Sequence, residues 1–271
     1  MTDIKDYVSM RKAQMKNDIA TFERPPRLVV VQVGDNPASN SYIRSKHKAC
    51  EEVGIEMHHE RCNESITQKE LKHLLIDIQH NMICDGLILQ LPIPDHLNVE
   101  ELQQCILPEK DVDGFRSDSF FYPCTPKGII DWLLFNNIEL EGKDVCVIGR
   151  SKIVGKPLVN MLIDEGATTT CCHSKTKRLA FYTKSADIII SAVGKPKIFG
   201  AAYFAENQII VDVGINRDDN GKMCGDINKE QMEQYLENTY VTPVPGGVGP
   251  LTVCSLLESV ITAYELQNNN M

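Results

Sequence analysis

Residues 144–158 read DVCVIGRSKIVGKPL, and this stretch restricts the fold more than any other. Val145 to Ile148 is a short apolar run rich in β-branched residues, the pattern of a strand buried in a parallel sheet. It stops at Gly149. Six residues on come Gly155, Lys156 and Pro157, then apolar positions at Leu158, Met161 and Leu162 with helical spacing. A strand, a glycine turn and a helix N-terminus make an anion site, because free backbone N–H groups and the positive end of the helix dipole face one point. The spacing is not Gly-x-Gly-x-x-Gly. By itself the turn reads either as a dinucleotide-binding loop or as an ordinary connection between strand and helix.

The same alternation runs along the chain. In the first part, the patterning predicts a helix over 4–20, a strand over 28–33 closed by Gly34-Asp35-Asn36-Pro37, and a helix over 39–53 ended by Gly54. A strand over 56–61 follows, then a helix over 67–80 with Thr67 and Glu70 as a capping box, a strand over 86–91 and a short helix over 99–105. Residues 108–126 break the pattern. Pro126 then opens a helix to Phe135. Apolar runs at 144–148, 168–173, 187–193, 208–213 and 239–244, most of them separated by helical segments, make a doubly wound block. A last helix covers 251–266, before an asparagine-rich tail at Asn268 to Asn270.

A chain of 271 residues, 42% hydrophobic, is long enough for one large or two medium domains. A net charge of −9 without a basic stripe argues against nucleic acid and membrane surfaces as partners, while leaving room for a local basic pocket. The ten cysteines form no Cys-x-x-Cys pair, and Cys84, Cys146, Cys171, Cys172 and Cys254 lie in apolar surroundings. They read as buried thiols of a reducing compartment. The seven histidines show no His-Glu-x-x-His spacing, so no metal is expected. The N-terminus is charged throughout and no apolar run is long enough for a membrane span, which points to the cytoplasm.

In α/β sheets, ligands bind beyond the carboxyl ends of the strands. Gly149, Gly194, Gly214 and the pair Gly246-Gly247 fall at such ends. A site for NAD has an acid about 20 residues past the glycine turn, to hold the ribose hydroxyls. Here the strand at 168–173 runs into Ser174-Lys175-Thr176-Lys177, with no acid, and Arg150 follows Gly149 directly. Both features favour NADP, with solvated surface charge as the alternative. In the first part, Tyr42 and Lys46 are four residues apart and share a helix face. A ring there can stack on a flat ligand, and a desolvated lysine can shift its pKa. Gln90 is an amide within the apolar run GLILQL, and Asp113 lies in KDVDGF. Each also has a structural reading: a solvated lysine, a satisfied core amide, a turn-forming aspartate.

Together these residues sit in segments similar to those of a known family. SYIRSKHKACEEVGI (41–55), DGLILQLPIP (85–94), PEKDVDGF (108–115), PCTPKG (123–128), VIGRSKIVGKPL (147–158), VDVGIN (211–216) and TPVPGGVGPLT (242–252) occur in order along nearly the whole chain. The sequence resembles the bifunctional methylenetetrahydrofolate dehydrogenase/methenyltetrahydrofolate cyclohydrolase family. The resemblance implies two α/β domains around a cleft. A folate-binding domain would span 1–122 plus 245–271, and an NADP-binding Rossmann domain, a doubly wound parallel sheet, 123–244. It implies oxidation of methylenetetrahydrofolate with NADP, then hydrolysis of the methenyl product to formyltetrahydrofolate, in a homodimer.

By the same resemblance, Lys46 assists water attack and proton transfer, Tyr42 packs on the folate ring, Gln90 tunes the lysine and Asp113 holds the pterin. The folate site extends to Leu89, Leu91, Pro245, Gly246, Gly247, Val248, Gly249 and Pro250. Gly149, Arg150, Ser151, Ser174 and Ile215 hold the cofactor, with Arg150 and Ser174 near its added phosphate. A lysine with lowered pKa suits a cationic methenyl substrate, and hydride transfer needs no acid or base of its own. The segment 116–122 is shorter than the family's usual one. A dehydrogenase with little cyclohydrolase activity, and a non-catalytic nucleotide-binding protein on the same fold, are the competing readings.

Overall fold

The structure is a computed structural model describing residues 1–268, apart from the side chain of Asn81; the expected asparagine-rich tail lies, beyond Asn268, outside the described residues. Ser9–Cys124 with the chain from Val253 forms one compact unit, and Met1–Val8 with Thr125–Thr252 the other. Each unit is built on its own parallel sheet.

Helix α1 (Ile4–Ile19) opens the chain and strand β1 (Arg27–Val33) follows. Helix α2 (Pro37–Val53) starts two residues before the expected position. The residues read as a turn are its cap: Asn36 accepts from the N–H groups of Ala38 and Ser39, and Pro37 occupies a first-turn position that needs no donor. Gly54 ends the helix in the left-handed region, at φ 94°. Strand β2 (Glu56–Cys62), helix α3 (Gln68–Asn81) with the Thr67–Glu70 capping box, strand β3 (Gly86–Gln90) and helix α4 (Val99–Gln103) complete this part. The sheet order is β2-β1-β3. Val29 and Val31 of β1 and Leu87 and Leu89 of β3 pack with Leu71, Leu75 and Ile78 of α3 and Leu102 of α4. The strand order reverses between β1 and β3, so their carboxyl ends diverge from their helices and leave a crevice.

The second unit begins with helix α5 (Cys124–Phe135), then strand β4 (Asp144–Ile148), helix α6 (Gly155–Asp164), edge strand β5 (Thr168–Cys172), helix α7 (Leu179–Ser185), strand β6 (Ile188–Ser191) and strand β7 (Ile209–Asp212). An antiparallel hairpin of β8 (Asn216–Arg217) and β9 (Met223–Cys224), absent from the sequence pattern, precedes helix α8 (Lys229–Tyr235) and strand β10 (Tyr240–Val241). The sheet order is β10-β7-β6-β4-β5, all parallel, with the reversal between β4 and β6. Cys146, Ile148, Ile189 and Ile210 form its core with Phe199, Phe204 and Met232. Cys171 departs from the expected burial: successive residues of edge strand β5 face opposite sides, so Cys172 is buried and Cys171 exposed.

Helix α9 (Val248–Asn268) starts three residues before the expected 251, so Val248, Gly249 and Pro250 form its first turn. Within the first unit its far end is tied to β3. The buried Asp85 carboxylate accepts from both Nη1 and Nη2 of Arg24 and from the Arg27 N–H, each at 2.7 Å. Arg24 lies over the Tyr264 ring at 4.8 Å, Tyr264 stacks on Phe22, and Gln267 Nε2 donates to the Asp85 carbonyl at 2.8 Å. No helix among the described residues is long and apolar enough to cross a membrane. Replacing Asp85 by alanine leaves a guanidinium and a backbone N–H without their acceptor. We expect Asp85→Ala to lower the urea-unfolding free energy by about 2–4 kcal/mol, and Arg24→Ala to cost less because Arg24 reaches solvent. Equal, small effects for both would contradict this assignment.

Candidate active site

In the first unit, Gln90 ends β3 and is paired in register, across the reversal, with Gln32, the next-to-last residue of β1. Helix α2 starts beyond β1 and presents Tyr42, Lys46 and Cys50 on one stripe, one turn apart. Lys46 is buried, at 3% exposure. Its Nζ donates to Gln90 Oε1 at 3.2 Å and stands 4.9 Å from the centre of the Tyr42 ring. The Gln90 amide cannot turn freely, because its Nε2 donates to the Leu91 carbonyl at 2.8 Å. The buried amide of the apolar run therefore serves as the acceptor for the buried Lys46 Nζ. Below the lysine, burial pushes the Cys50 thiol up to about 12, so it stays a neutral neighbour. Burial, and then the Asp113 carboxylate, push the Tyr42 phenol up. Burial raises Asp113 as well, opposed by the nearby Lys46. Tyr42, Lys46, Gln90 and Asp113, separated by as many as 71 residues in sequence, thus form one cluster.

The short segment 116–122 folds back on the loop that carries Asp113. Asp111, itself buried, accepts from the Arg116 N–H at 2.9 Å, and its carbonyl accepts from Ser119 Oγ at 3.1 Å. Arg116 Nη1 donates to the carbonyls of Gln104 and Ile106, and its other nitrogens hold Asp118. Gly114 is at φ +70°, and a Cβ there would meet the Tyr122 carbonyl at 2.6 Å, so only glycine lets the segment fold back. Of the other expected folate contacts in this unit, the Leu89 side chain lies in the apolar core and Leu91 offers its carbonyl to Gln90. Pro245, Gly246, Gly247, Val248, Gly249 and Pro250 belong to the second unit, where Gly246 is at φ +100° with open space around it.

In the second unit, the turn after β4 sits at the reversal between β4 and β6. A Cβ on Gly149 would lie 2.4 Å from the Ala192 carbonyl oxygen, and one on Gly155 would lie 2.2 Å from the Gly149 carbonyl oxygen. Both glycines are required by close approach of strand, loop and helix, the reason dinucleotide-binding turns use them. Ser151 Oγ accepts from the N–H groups of Val154 and Gly155, so it takes up the first N–H of α6. Arg150 is exposed and makes no ion pair among the described residues. Beyond β5, His173 and Thr176 close a tight turn: the His173 N–H donates to Thr176 Oγ1 and the Lys175 N–H to His173 Nδ1. Ser174 is exposed on this turn, and a hollow beside it is lined by Lys175, Lys177 and Arg178. Among the described residues, none that lines this hollow is a carboxylate that would repel a phosphate. Ile215 is exposed beyond β7, within 4.0 Å of a Cβ built on Gly249. These residues suit a dinucleotide with an extra phosphate.

Two buried carboxylates of this unit escaped the sequence reading. Asp212 accepts from the N–H groups of Gly214, Asp226 and Ile227, and burial pushes it up to about 6. Asp226 is fully buried. It accepts from Ser191 Oγ, Asn216 Nδ2 and the N–H groups of Val193 and Lys195. The available signal was an acid within two residues of a glycine in an apolar segment, in VDVGIN and again in CGDIN.

Known proteins with this sequence and fold agree on one family. The description "Tetrahydrofolate dehydrogenase/cyclohydrolase, catalytic domain" matches residues 2–113, and the same family's "NAD(P)-binding domain" matches residues 123–268. The chain is 45% identical over 252 residues to "Bifunctional protein FolD" of Campylobacter jejuni, covering 89% of each. The crystal structure of the bifunctional methylenetetrahydrofolate dehydrogenase/cyclohydrolase from Campylobacter jejuni is similar with a TM-score of 0.93, at 41% identity and covering 98% of both chains. The Trypanosoma brucei enzyme, solved with NADP cofactor and an inhibitor, gives a TM-score of 0.90 at 28% identity over 98% of this chain and 97% of that one. With both of its domains matched over nearly their whole length, this chain belongs to the tetrahydrofolate dehydrogenase/cyclohydrolase family.

Proposed function

We propose that the chain oxidises methylenetetrahydrofolate to methenyltetrahydrofolate with NADP and then hydrolyses the product to formyltetrahydrofolate. The buried Lys46–Gln90 pair beside Tyr42 and Asp113 carries this reading, in a chain whose other unit is an NAD(P)-binding domain. The choice of NADP is supported by the exposed Arg150, the basic turn after β5 and the absence of an acid there. NADP supplies a hydride acceptor for the methylene carbon. That step asks the protein for rigid placement and for no proton donor.

Tyr42 offers a flat, neutral ring on which the folate stacks, and Asp113 accepts from the N–H groups of the pterin. Leu91, and Leu89 through its backbone, belong to the same folate reading. Gly149, Ser151 and Ile215 shape the cofactor's bed, while Arg150 and Ser174 meet its added phosphate. Hydrolysis then requires water to add at the methenyl carbon. Lys46, held in place by Gln90 Oε1, takes the first proton this water loses and delivers it to the departing nitrogen as one C–N bond breaks, while the hydroxyl proton of the adduct passes to solvent and the formyl group stays on the other nitrogen. A homodimer and a cytoplasmic location belong to the same reading. The first is supported by the family resemblance, the second by ten cysteines with no disulfide among the described residues.

The direct test supplies purified protein with methylenetetrahydrofolate and NADP or NAD and follows reduced cofactor and methenyl product. Failure to reduce either nucleotide sinks the enzyme reading; methenyl product that decays no faster than without protein sinks the hydrolytic half. Lys46→Met should cut hydrolysis of preformed methenyl substrate by more than about a hundredfold and spare most hydride transfer. Equal loss of both in a folded variant would remove Lys46 from that role. Arg150→Ala should raise the KM for NADP about tenfold or more and that for NAD by less than about twofold. Because burial raises Asp113, its carboxylate form is lost, as pH falls, above the ordinary carboxylate range. The folate KM should therefore rise on mild acidification, and Asp113→Asn should flatten that dependence.

A further inference from the structure

We infer that Asp226 is a positioning residue for the cofactor, its buried carboxylate locking together the two loops that follow β6 and β7. The inference rests on the NADP reading above. A fully buried carboxylate is tolerated when each oxygen is satisfied, and here each accepts two hydrogen bonds. Oδ2 takes Ser191 Oγ at 2.9 Å and the Val193 N–H at 2.8 Å; Oδ1 takes the Lys195 N–H at 2.9 Å and Asn216 Nδ2 at 3.0 Å. One donor lies in β6. Val193 and Lys195 lie in the loop after β6, and Asn216 opens β8 just beyond β7, so all three stand at the carboxyl ends of strands, where an α/β sheet binds its ligand.

The bonded positions flank two exposed ones. Gly194, between Val193 and Lys195, is at φ +66° with no heavy atom within 4 Å of a Cβ built there. Ile215, beside Asn216, is 63% exposed. The carboxylate thus grips the inner side of loops whose outer side is free for a ligand. Asp226 is itself held: Asp212 accepts its N–H at 2.9 Å and that of Ile227 at 2.9 Å. The packing is tight enough to dictate glycine on both sides. A Cβ on Gly214 would lie 2.3 Å from Asp226 Oδ1, and one on Gly225 would lie 1.9 Å from Asp212 Oδ2. Three of the four donors lie beyond the carboxyl ends of β6 and β7, a placement that a carboxylate serving only the core would not need.

Asp226→Asn keeps the shape and puts an NH2 group against two of the four donors, whichever way the amide turns. Calorimetric titration with NADP and steady-state rates of both reactions test the role. Asp226→Asn should weaken NADP binding about tenfold or more and raise the NADP KM in parallel. Hydrolysis of preformed methenyl substrate, without nucleotide, should stay within about twofold. Asn216→Ala, which removes one donor at a partly exposed position, should weaken NADP about threefold and serves if Asp226→Asn does not fold. Unchanged NADP affinity in the folded variants, or equal loss of both reactions, overturns the inference. A wild-type protein that binds NADP without reducing it would defeat the functional reading alone, and the variants' affinities would still decide the role of Asp226. A wild type that does not bind NADP would overturn both.

Discussion

The constraint from which the chemistry of this chain follows is the reversal of strand order in a parallel sheet. In both units the first strand of the βαβ series lies between the second and the third, as β2-β1-β3 and as β5-β4-β6. Helices leave the two central strands toward opposite faces, so the carboxyl ends of those strands are left uncovered. Lys46, Gln90 and the turn at Gly149 are all hung from these two gaps. Their spacing along the sequence follows from how many residues a strand, a helix and a return strand consume.

Once such a gap exists, polar groups within it have to be satisfied by the protein before any ligand arrives. The two units solve this in different ways. In the first, one amide is divided between two partners: Gln90 gives its Nε2 to a backbone carbonyl and its Oε1 to a buried lysine. The lysine is therefore fixed in position beside the Tyr42 ring. In the second, two carboxylates are surrounded by N–H and hydroxyl donors, Asp212 holding the backbone of Asp226 and Asp226 holding two loops. Low local polarity strengthens each of these bonds and makes each unsatisfied atom costly.

The glycines show how sterics and function share positions. Four glycine sites at strand ends look from sequence like a lined ligand crevice. In the structure, Gly149 is required by the Ala192 carbonyl, Gly214 by the Asp226 carboxylate and Gly247 by the Pro243 carbonyl, whereas Gly194 and Gly246 face open space at positive φ. Close protein packing accounts for the first three, and only the last two leave backbone open toward a ligand.

The alternation of buried strands and helices, the turn at Gly149 and the shared face of Tyr42 and Lys46 were determined by the sequence alone, because period, glycine placement and helical spacing are local quantities. So were the caps at Thr67 and Gly54. The start of α2 at Pro37 was legible too, once Asn36 is read as a cap rather than part of a turn. The Lys46–Gln90 bond, the return of 116–122 onto Gly114 and the roles of Asp111, Asp212 and Asp226 were decided only by tertiary structure. Each joins residues from different elements, and a buried acid or amide carries no sequence mark of the donors that will meet it. The hairpin of β8 and β9 was invisible for a related reason: two-residue strands are too short to show a period. Sequence determines which atoms need partners; the packing of strands side by side determines which partners they find.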